Sequence, residues 1–151
     1  MLVACGSSAP STPHVAPFTQ TAGAATACRT IMASLPKTLN HRSRVTSTGS
    51  PFGAAWGDPA IVLRCGVPEP TGFTTNSYAN CLTVNGIDWY LAGDSGDGAS
   101  TDHPITVTTV YRSPAIEVTV PAGYGTQGPS TAMALLTSVI QTNTKASKRC
   151  L

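Results

Sequence analysis

Charged residues are scarce in this chain of 151 residues, because Lys, Arg, Asp and Glu together make up only 11% of it. An average soluble protein has about 25%. Nine basic and seven acidic residues leave a formal net charge of +2. The basic residues are scattered apart from two weak groups, one at His41, Arg42 and Arg44 and one at Lys145, Lys148 and Arg149. A nucleic-acid-binding surface needs clustered cations that displace counterions from phosphates, so the charge pattern argues against nucleic acid as a partner.

The sequence also lacks any run of about twenty apolar residues, which is the length that a membrane-spanning helix requires. A chain of this size is expected to bury one hydrophobic core rather than two. If the protein is linked to a membrane, the link is therefore expected to be covalent or to run through a partner.

The N-terminal segment offers a candidate for such a covalent link at Cys5. Residues 2–5 read LVAC, which matches the bacterial lipobox, where the cysteine thiol accepts a diacylglycerol and becomes the mature N-terminus. Residues 1–18 are therefore predicted to be a lipobox-like start followed by a disordered tether rich in Ser, Pro and Ala. A lipoprotein signal also has basic and apolar regions, which this hypothesis places upstream of Met1. The alternative is an ordinary free cysteine on a frayed tail.

The remaining four cysteines indicate an oxidising compartment. There is an even number of them, as complete pairing in disulfides requires: Cys28, Cys65, Cys81 and Cys150. No Cys-x-x-Cys or His-rich spacing indicates zinc. Disulfides persist outside the cytoplasm and are rare within it. The sequence therefore predicts two disulfides in an extracytoplasmic protein that is secreted or lipid-anchored to the cell membrane.

Hydrophobic periodicity predicts an α+β fold. One helix is expected over residues 19–35, where an apolar stripe ends before Pro36, and a second from Pro129 to about Asn143. Residues 37–59 look like a loop. About five mostly antiparallel strands are expected, at residues 61–65, on both sides of an Asn85-Gly86 hairpin turn, at 105–111 and at 115–120. The prediction is a two-layer sandwich with both helices packed on the sheet, in a single domain over residues 19–145 followed by a tail over 146–151.

The faces of these elements favour one disulfide pairing. Cys28 lies on the apolar stripe of the first helix, and Cys65 lies on the apolar face of its strand, so the two should meet. Cys81 alternates away from Leu82 and should point to the opposite side of the sheet, which leaves it to pair with Cys150. The other pairing that we considered joins Cys65 to Cys81 and Cys28 to Cys150, and it requires a bulge near Cys81.

Two patterns in the sequence resemble reactive or metal-binding motifs, but each departs from its motif. The segment AGDSGDG, residues 92–98, is similar to the surround of a serine nucleophile, but Asp97 replaces the final glycine and the chain is too short for two β-barrels. A calcium site built from the aspartates of this region lacks a bidentate Glu, so a solvated turn is favoured. The sequence therefore predicts no catalytic role for Ser95, no metal site at Asp94, Asp97 and Asp102, and no cofactor.

The segment AAWGDPAIVLRCGVPEP, residues 54–70, places an aromatic ring, a carboxylate and a guanidinium close together in sequence. In a functional interpretation Trp56 is a stacking platform, and Asp58 and Arg64 are the polar groups of a small binding cleft. In the structural interpretation, which we favour, Trp56 caps the core, Asp58 bonds turn amides, and Arg64 pairs across strands with Glu117 or Asp88.

The same segment, together with VNGIDW at residues 84–89 and AIEVTVP at residues 115–121, resembles a known family. It is similar to the actinobacterial envelope family catalogued as domain of unknown function 3515, and the helical Cys28 followed by Leu35-Pro36 fits as well. The resemblance covers roughly residues 20–145. It implies a small secreted or lipid-anchored envelope protein. The activity of that family is unassigned, so the resemblance implies no catalytic residues.

Two functions from different classes remain. The leading hypothesis is a non-enzymatic envelope lipoprotein, an interaction or accessory module at the outer face of the cytoplasmic membrane that has a protein partner and is held by a lipid on Cys5. The alternative is a small-ligand-binding protein. A solvent-reachable pocket would favour the binder, and a buried tryptophan with mutually paired polar neighbours would favour the module. The candidate binding residues are Trp56, Asp58, Arg64, Asp88 and Arg112.

Overall fold

A computed structural model describes residues 9–73, 80–92 and 102–150 of the chain. Within these ranges the chain forms two helices and twelve strands. The helices are α1 (Ala24–Ser34) and α2 (Gly128–Asn143). The first six strands are β1 (His14–Val15), β2 (Thr38–Leu39), β3 (Arg42–Val45), β4 (Thr48–Gly49), β5 (Gly53–Trp56) and β6 (Ile61–Cys65). The other six are β7 (Cys81–Val84), β8 (Ile87–Leu91), β9 (Ile105–Thr109), β10 (Arg112–Ser113), β11 (Ile116–Val120) and β12 (Lys145–Ala146).

Eight of these strands form the main sheet, in the order β2-β3-β5-β6-β11-β9-β8-β7. Every neighbouring pair in it is antiparallel. Two small sheets stand beside it, a parallel pair of β1 with β4 and an antiparallel pair of β10 with β12. The α+β prediction is confirmed, but the expectation of about five strands in the sheet is wrong.

The additional strands of the main sheet come from residues 37–59, which the composition had suggested were a loop. β2 and β3 form a hairpin around Asn40 and His41, whose φ angles of 48° and 61° are those of a tight turn with two positive-φ residues. β5 then pairs with β6 from Gly53 opposite Arg64 to Trp56 opposite Ile61. β2 and β3 are short and mostly polar, so their side chains show no strong periodicity, and backbone pairing to an existing sheet stabilises them. β5 is apolar, with Ala54, Ala55 and Trp56 buried, but its four residues are too few to show a strand period.

The predicted helices differ in how well their bounds were placed. α2 agrees with the prediction to within one residue, whereas α1 begins at Ala24 rather than at residue 19. The residues before it are bound to the end of β6, since the Thr21 amide donates to the Gly66 carbonyl oxygen at 2.9 Å. Gly23, at φ 77°, then turns the chain into the helix. The predicted apolar stripe of α1, including Cys28 and Ile31, is buried.

The hydrophobic core lies between the two helices and one face of the main sheet. α1 and α2 contact each other, and side chains at alternate positions of β6, Ile61, Leu63 and Cys65, point towards them. Trp56 and Trp89 are both fully buried in this core. One sandwich of helices on a sheet therefore accounts for most of the buried apolar surface, as predicted.

The hairpin predicted at Asn85-Gly86 is present, with φ angles of 48° and 81° at the two turn residues. β7 and β8 pair in the expected register, with Leu82 opposite Trp89. Leu82 shares the helix-facing side of the hairpin with Trp89, yet it is 44% exposed. The reason is that β7 is the last strand of the sheet, so its inward face lies at the margin of the core.

The face of the sheet opposite the helices is contacted by both ends of the chain. Near the N-terminus, β1 brings Val15 against Gly53 of β5, and Val15 is only 1% exposed. Near the C-terminus, β12 pairs with β10, and Cys150 contacts residues of β7 and β8. The folded region therefore extends on both sides of the predicted domain of residues 19–145, because residues at each end find partners far away in sequence.

Candidate functional site

The first predicted binding residue, Trp56, lies inside the core. Its side chain is fully buried, and the indole Nε1 donates a hydrogen bond to the carbonyl oxygen of Pro36 at 2.9 Å. The guanidinium carbon of Arg44 lies 5.8 Å from the ring centroid, on the rim of the core. Trp56 thus has the geometry of a satisfied core residue, and its ring has no face open for stacking on a ligand.

Arg64 and Asp58 do not converge on Trp56. Arg64 points to the opposite face of the sheet, where its Nη2 lies 2.7 Å from Oε1 of Glu117 on β11. This confirms the predicted cross-strand pairing of Arg64 with Glu117. The guanidinium of Arg64 also lies 5.0 Å from the ring centroid of Phe18. Asp58 is exposed in the turn between β5 and β6, so these three residues form no common cleft.

The other two predicted residues, Asp88 and Arg112, lie near each other at the far end of the sheet. Asp88 is only 3% exposed. Its Oδ1 accepts a hydrogen bond from the Thr83 hydroxyl at 2.6 Å. Its Oδ2 accepts hydrogen bonds from Arg149 Nε and from the Cys150 amide, both at 2.9 Å. A buried carboxylate on β8 therefore holds the last residues of the chain.

These contacts decide the charge of Asp88. Burial alone would raise its pKa, because it disfavours the ionised form. The hydrogen bonds from Thr83, from the Cys150 amide and from Arg149, together with the positive charge of Arg149, outweigh burial and lower the pKa of Asp88 below its ordinary value. Asp88 is therefore ionised at neutral pH and forms a charge-assisted attachment point.

Arg112 supports the same region from the other side of the tail. Its Nη1 donates to the Thr144 hydroxyl at 2.9 Å and to the Thr144 carbonyl oxygen at 3.5 Å. Burial lowers the pKa of Arg112, the nearby charge of Arg149 lowers it further, and the charge of Asp88 opposes them. Asp88 and Arg112 thus interact through their charges, while each is hydrogen-bonded to a different part of the C-terminal tail.

A small aromatic cluster packs beside this attachment. Phe73 meets Tyr90 and Tyr111 edge to face, with ring centroids 5.6 Å and 5.3 Å apart. Val110 completes its buried part, and Cys81 and Cys150 pack against it. Edge-to-face contacts of this kind add stability beyond simple area burial. We use the name C-terminal clasp for the aromatic cluster together with Cys81, Thr83, Asp88, Arg112 and residues 144–150.

Both disulfides have the predicted pairing. Cys28 of α1 is bonded to Cys65 of β6 inside the core, and Cys81 of β7 is bonded to Cys150 of the tail. The face assignment that predicted them is also confirmed, because Cys81 stands opposite Tyr90, on the side of the sheet that faces away from the helices. The two bonds therefore lie on opposite faces of one sheet.

The clasp contains a group of potential metal ligands. The Sγ atoms of Cys81 and Cys150 and a carboxylate oxygen of Asp88 all lie within 4.8 Å of one another. Metal coordination by cysteine requires thiolates, whereas these two sulfurs are joined to each other. The carboxylate is also occupied by three hydrogen-bond donors. In this oxidised form the group attaches the tail, which is a structural role.

Several partners in the clasp were missed by sequence reasoning. Arg149, Thr83 and Thr144 carried no motif, and Arg149 lies 61 residues from the carboxylate that it binds. The one available signal was that basic residues flank the last cysteine. The lipidation candidate Cys5 and the set-aside residues Asp94, Ser95 and Asp97 lie outside the described residues.

One comparison with known proteins identifies the family of this chain, and that family has no assigned activity. A sequence profile described as "Protein of unknown function (DUF3515)" matches residues 2–149, which is nearly the whole chain. The protein therefore belongs to the DUF3515 family, as the sequence motifs had suggested. Searches of curated proteins and of solved structures found no match. Over the part of the chain that the structure describes, neither helix has the length and apolarity needed to cross a bilayer.

Proposed function

We propose that this protein is a disulfide-stabilised module of the cell envelope, anchored by a lipid on Cys5, which acts by binding another envelope component rather than by catalysis. The observation that carries the proposal is the pair of disulfides, which join cysteines 37 and 69 residues apart. Bonds of this kind form and persist in an oxidising compartment. All four cysteines of the described region are used in them, which leaves Cys5 as the one cysteine available for a lipid.

The polar groups of the described region support a binding role over a catalytic one. A catalytic carboxylate or base usually has a perturbed pKa and faces a cleft. Asp88, the buried carboxylate, instead accepts hydrogen bonds from Thr83, Arg149 and the Cys150 amide. Arg64 and Glu117 are likewise paired with each other. These groups stabilise the fold, so we assign the function to the surface of the module.

The alternative of a small-ligand binder gains no support from a specific observation. A ligand-binding function here would require Trp56, Asp58 and Arg64 to line one cavity that solvent can reach. Trp56 is buried under Pro36, and Arg64 lies on the other face of the sheet. We therefore do not propose a ligand for this region.

Anchoring is tested with the protein preceded by its complete signal and produced in a bacterial host. We expect the wild type to partition into detergent, and Cys5→Ser to remain unprocessed or to move to the aqueous phase. A Ser7→Ala variant serves as a matched control and should behave as the wild type. Equal partitioning of the wild type and Cys5→Ser would refute lipid anchoring.

The binding role is tested by chemical cross-linking and affinity capture of the anchored protein from native envelopes. We expect one reproducible envelope protein to be cross-linked to surface residues of the described domain. Recovery of the bare protein under these conditions, with efficient cross-linking of a known envelope complex in the same sample, would refute the proposal of a protein partner.

A further inference from the structure

The basic residues of the described chain lie mainly at opposite ends of the main sheet. One group belongs to the hairpin of β2 and β3 and consists of Lys37, Arg42 and Arg44, all of them exposed. We call these three residues the cationic edge. The other group belongs to the C-terminal clasp, beside β7 and β8.

The cationic edge is defined by strand register. The Arg44 amide donates to the Lys37 carbonyl oxygen at 2.8 Å, and Arg42 stands opposite Leu39 one step nearer the turn. Residues directly opposite in an antiparallel pair point to the same side, and so do residues two apart in a strand. The three cations therefore project on one side of one hairpin, at the margin of the sheet.

Such a cluster has an electrostatic cost. Like charges that face each other across two strands are destabilising. Glu117 is paired with Arg64 and Asp88 with Arg149, so neither of these carboxylates neutralises the cationic edge. Even with Asp58 of the nearby turn counted, three cations and one anion leave a charge of +2, which is the formal net charge of the whole protein. An external anion would remove this cost.

The cations of the clasp are used differently. Arg149 is bound to Asp88, and Arg112 donates to Thr144. Lys148 lies over the ring of Tyr111, with its Nζ 6.0 Å from the centroid. These residues attach the tail to the domain.

On the cationic edge, Arg42 lies over the ring of Tyr124 and Arg44 over the ring of Trp56, 5.4 Å and 5.8 Å from the ring centroids, and Arg44 Nη1 donates to the Met32 carbonyl oxygen at 3.2 Å. Its three side chains nevertheless stay exposed, so their charges remain accessible to an external anion.

The cationic edge is also at the end of the sheet where the N-terminal segment joins the domain. β1 pairs with β4, and β4 begins three residues after β3 ends. From Pro13, whose carbonyl oxygen accepts a bond from the Thr48 amide, back to Cys5 is eight residues. An extended chain of that length spans at most about 26–29 Å. A lipid on Cys5 would thus keep the cationic edge within about one domain diameter of the bilayer.

We propose that the cationic edge of Lys37, Arg42 and Arg44 docks on the anionic headgroups of a phospholipid bilayer and so fixes the orientation of the domain at the membrane. The argument from tether length rests on the proposed lipidation of Cys5, but the headgroup contact itself does not. Each Lys or Arg near an anionic surface contributes about a fivefold gain in binding. In this orientation the C-terminal clasp, at the other end of the sheet, faces away from the membrane.

The test uses the full chain carrying Cys5→Ser, so that no lipid is attached, in flotation with vesicles. One set contains phosphatidylcholine alone, and the other an equimolar mixture with phosphatidylglycerol. We expect the protein to bind the mixed vesicles and not those of pure phosphatidylcholine. Binding should weaken as salt is added, because salt screens the electrostatic attraction. The double variant Lys37→Gln with Arg42→Gln should bind about 25-fold more weakly, at about fivefold per residue.

The clasp provides a control of equal charge, Lys145→Gln with Lys148→Gln, which should bind nearly as well as the parent. Unfolding midpoints of both double variants establish that each is folded. Equal losses in the two variants, or binding that does not require phosphatidylglycerol, would overturn the proposal. Because this protein carries no lipid, its result is independent of the detergent partitioning that tests Cys5.

Discussion

The two ends of the chain contact the same face of the main sheet but are attached to it by different forces. The N-terminal segment adds a two-residue strand, places Val15 on Gly53, and donates from Thr21 to carbonyl oxygens at the end of β6. The C-terminal tail adds a strand of the same length, an ion pair to a buried aspartate and a disulfide.

The difference lies in what each attachment requires of the sequence. At the N-terminal end, the close approach of two backbones requires glycine, since a Cβ at Gly49 would lie 2.1 Å from the Val15 carbonyl oxygen. At the C-terminal end, a buried carboxylate requires donors, because an unpaired charge away from water is costly. The N-terminal end is thus held mainly by close backbone packing, and the C-terminal end by an ion pair and a covalent bond. Substitutions can disturb these two attachments, and the core between them, separately.

The largest effect is expected from the disulfide of the core. Replacing Cys28 and Cys65 by Ala removes a loop-closure contribution of about 4 kcal/mol and about 1–2 kcal/mol of buried packing. The matched variant replaces Cys81 and Cys150 by Ala. It loses a similar loop-closure contribution but leaves no buried cavity. Its tail can also detach while the core stays folded. Urea unfolding should therefore show the larger loss for the core pair. An equal or larger loss for the clasp pair would contradict this difference.

The next largest effect is expected at the charge that holds the tail. Asp88→Asn should lower the free energy of unfolding by about 2–3 kcal/mol at neutral pH, because hydrogen bonds to a buried charged group are the strong ones. Glu117→Gln removes a second ion-paired carboxylate, which is more exposed than Asp88, and should cost about 1 kcal/mol or less. Urea unfolding of the two variants compares them directly, and a smaller loss for Asp88→Asn would contradict the assignment of the clasp.

The effect of Asp88 should also depend on pH with a defined sign. Because folding lowers the pKa of this carboxyl group, its stabilisation is fully present above the unfolded pKa of about 3.9 and is lost as the pH falls through the folded pKa. The difference in stability between wild type and Asp88→Asn should therefore shrink below about pH 4. A difference that stays constant from neutral to acidic pH would show that Asp88 acts through its shape rather than its charge.

A smaller effect is expected at the N-terminal attachment. In Gly49→Ala the added Cβ would clash with the Val15 carbonyl oxygen, and alanine would be strained at a positive φ of 92°. Together these effects should lower the free energy of unfolding by about 2 kcal/mol. Gly123→Ala is the control, since Gly123 has a similar φ of 93° but a Cβ added there would have no atom within 4 Å. This variant carries the backbone strain alone, and its free energy of unfolding should fall by about 1 kcal/mol. In Gly49→Ala the amides of Thr48 and Ser50, which bond to residues 13 and 15, should exchange hydrogen faster. Unchanged protection of these amides would argue that β1 stays in place.

The parts of the fold that the sequence predicted correctly are those with a local cause. α2 has an apolar stripe of helical period, and the β7–β8 hairpin has the Asn85-Gly86 pair that a tight turn requires. The disulfide pairing was predictable for the same reason, since alternation along a strand fixes which face each cysteine occupies. The candidate site was only partly predictable. Asp88 and Arg112 were selected from the sequence, whereas their partners Arg149 and Thr144 were not.

What the sequence alone determined is therefore the α+β class, both helices, the β7–β8 hairpin, the two disulfides and the family. The core position of Trp56 was the favoured interpretation of the sequence. The tertiary structure alone decided that β2, β3 and β5 extend the sheet and that the tail is attached to Asp88. β2, β3 and β5 pair with strands close to them in sequence, but their pairing becomes favourable only once β6 offers the edge of a formed sheet. The tail depends on groups far apart in the chain, since Arg149 lies 61 residues from the carboxylate that it binds.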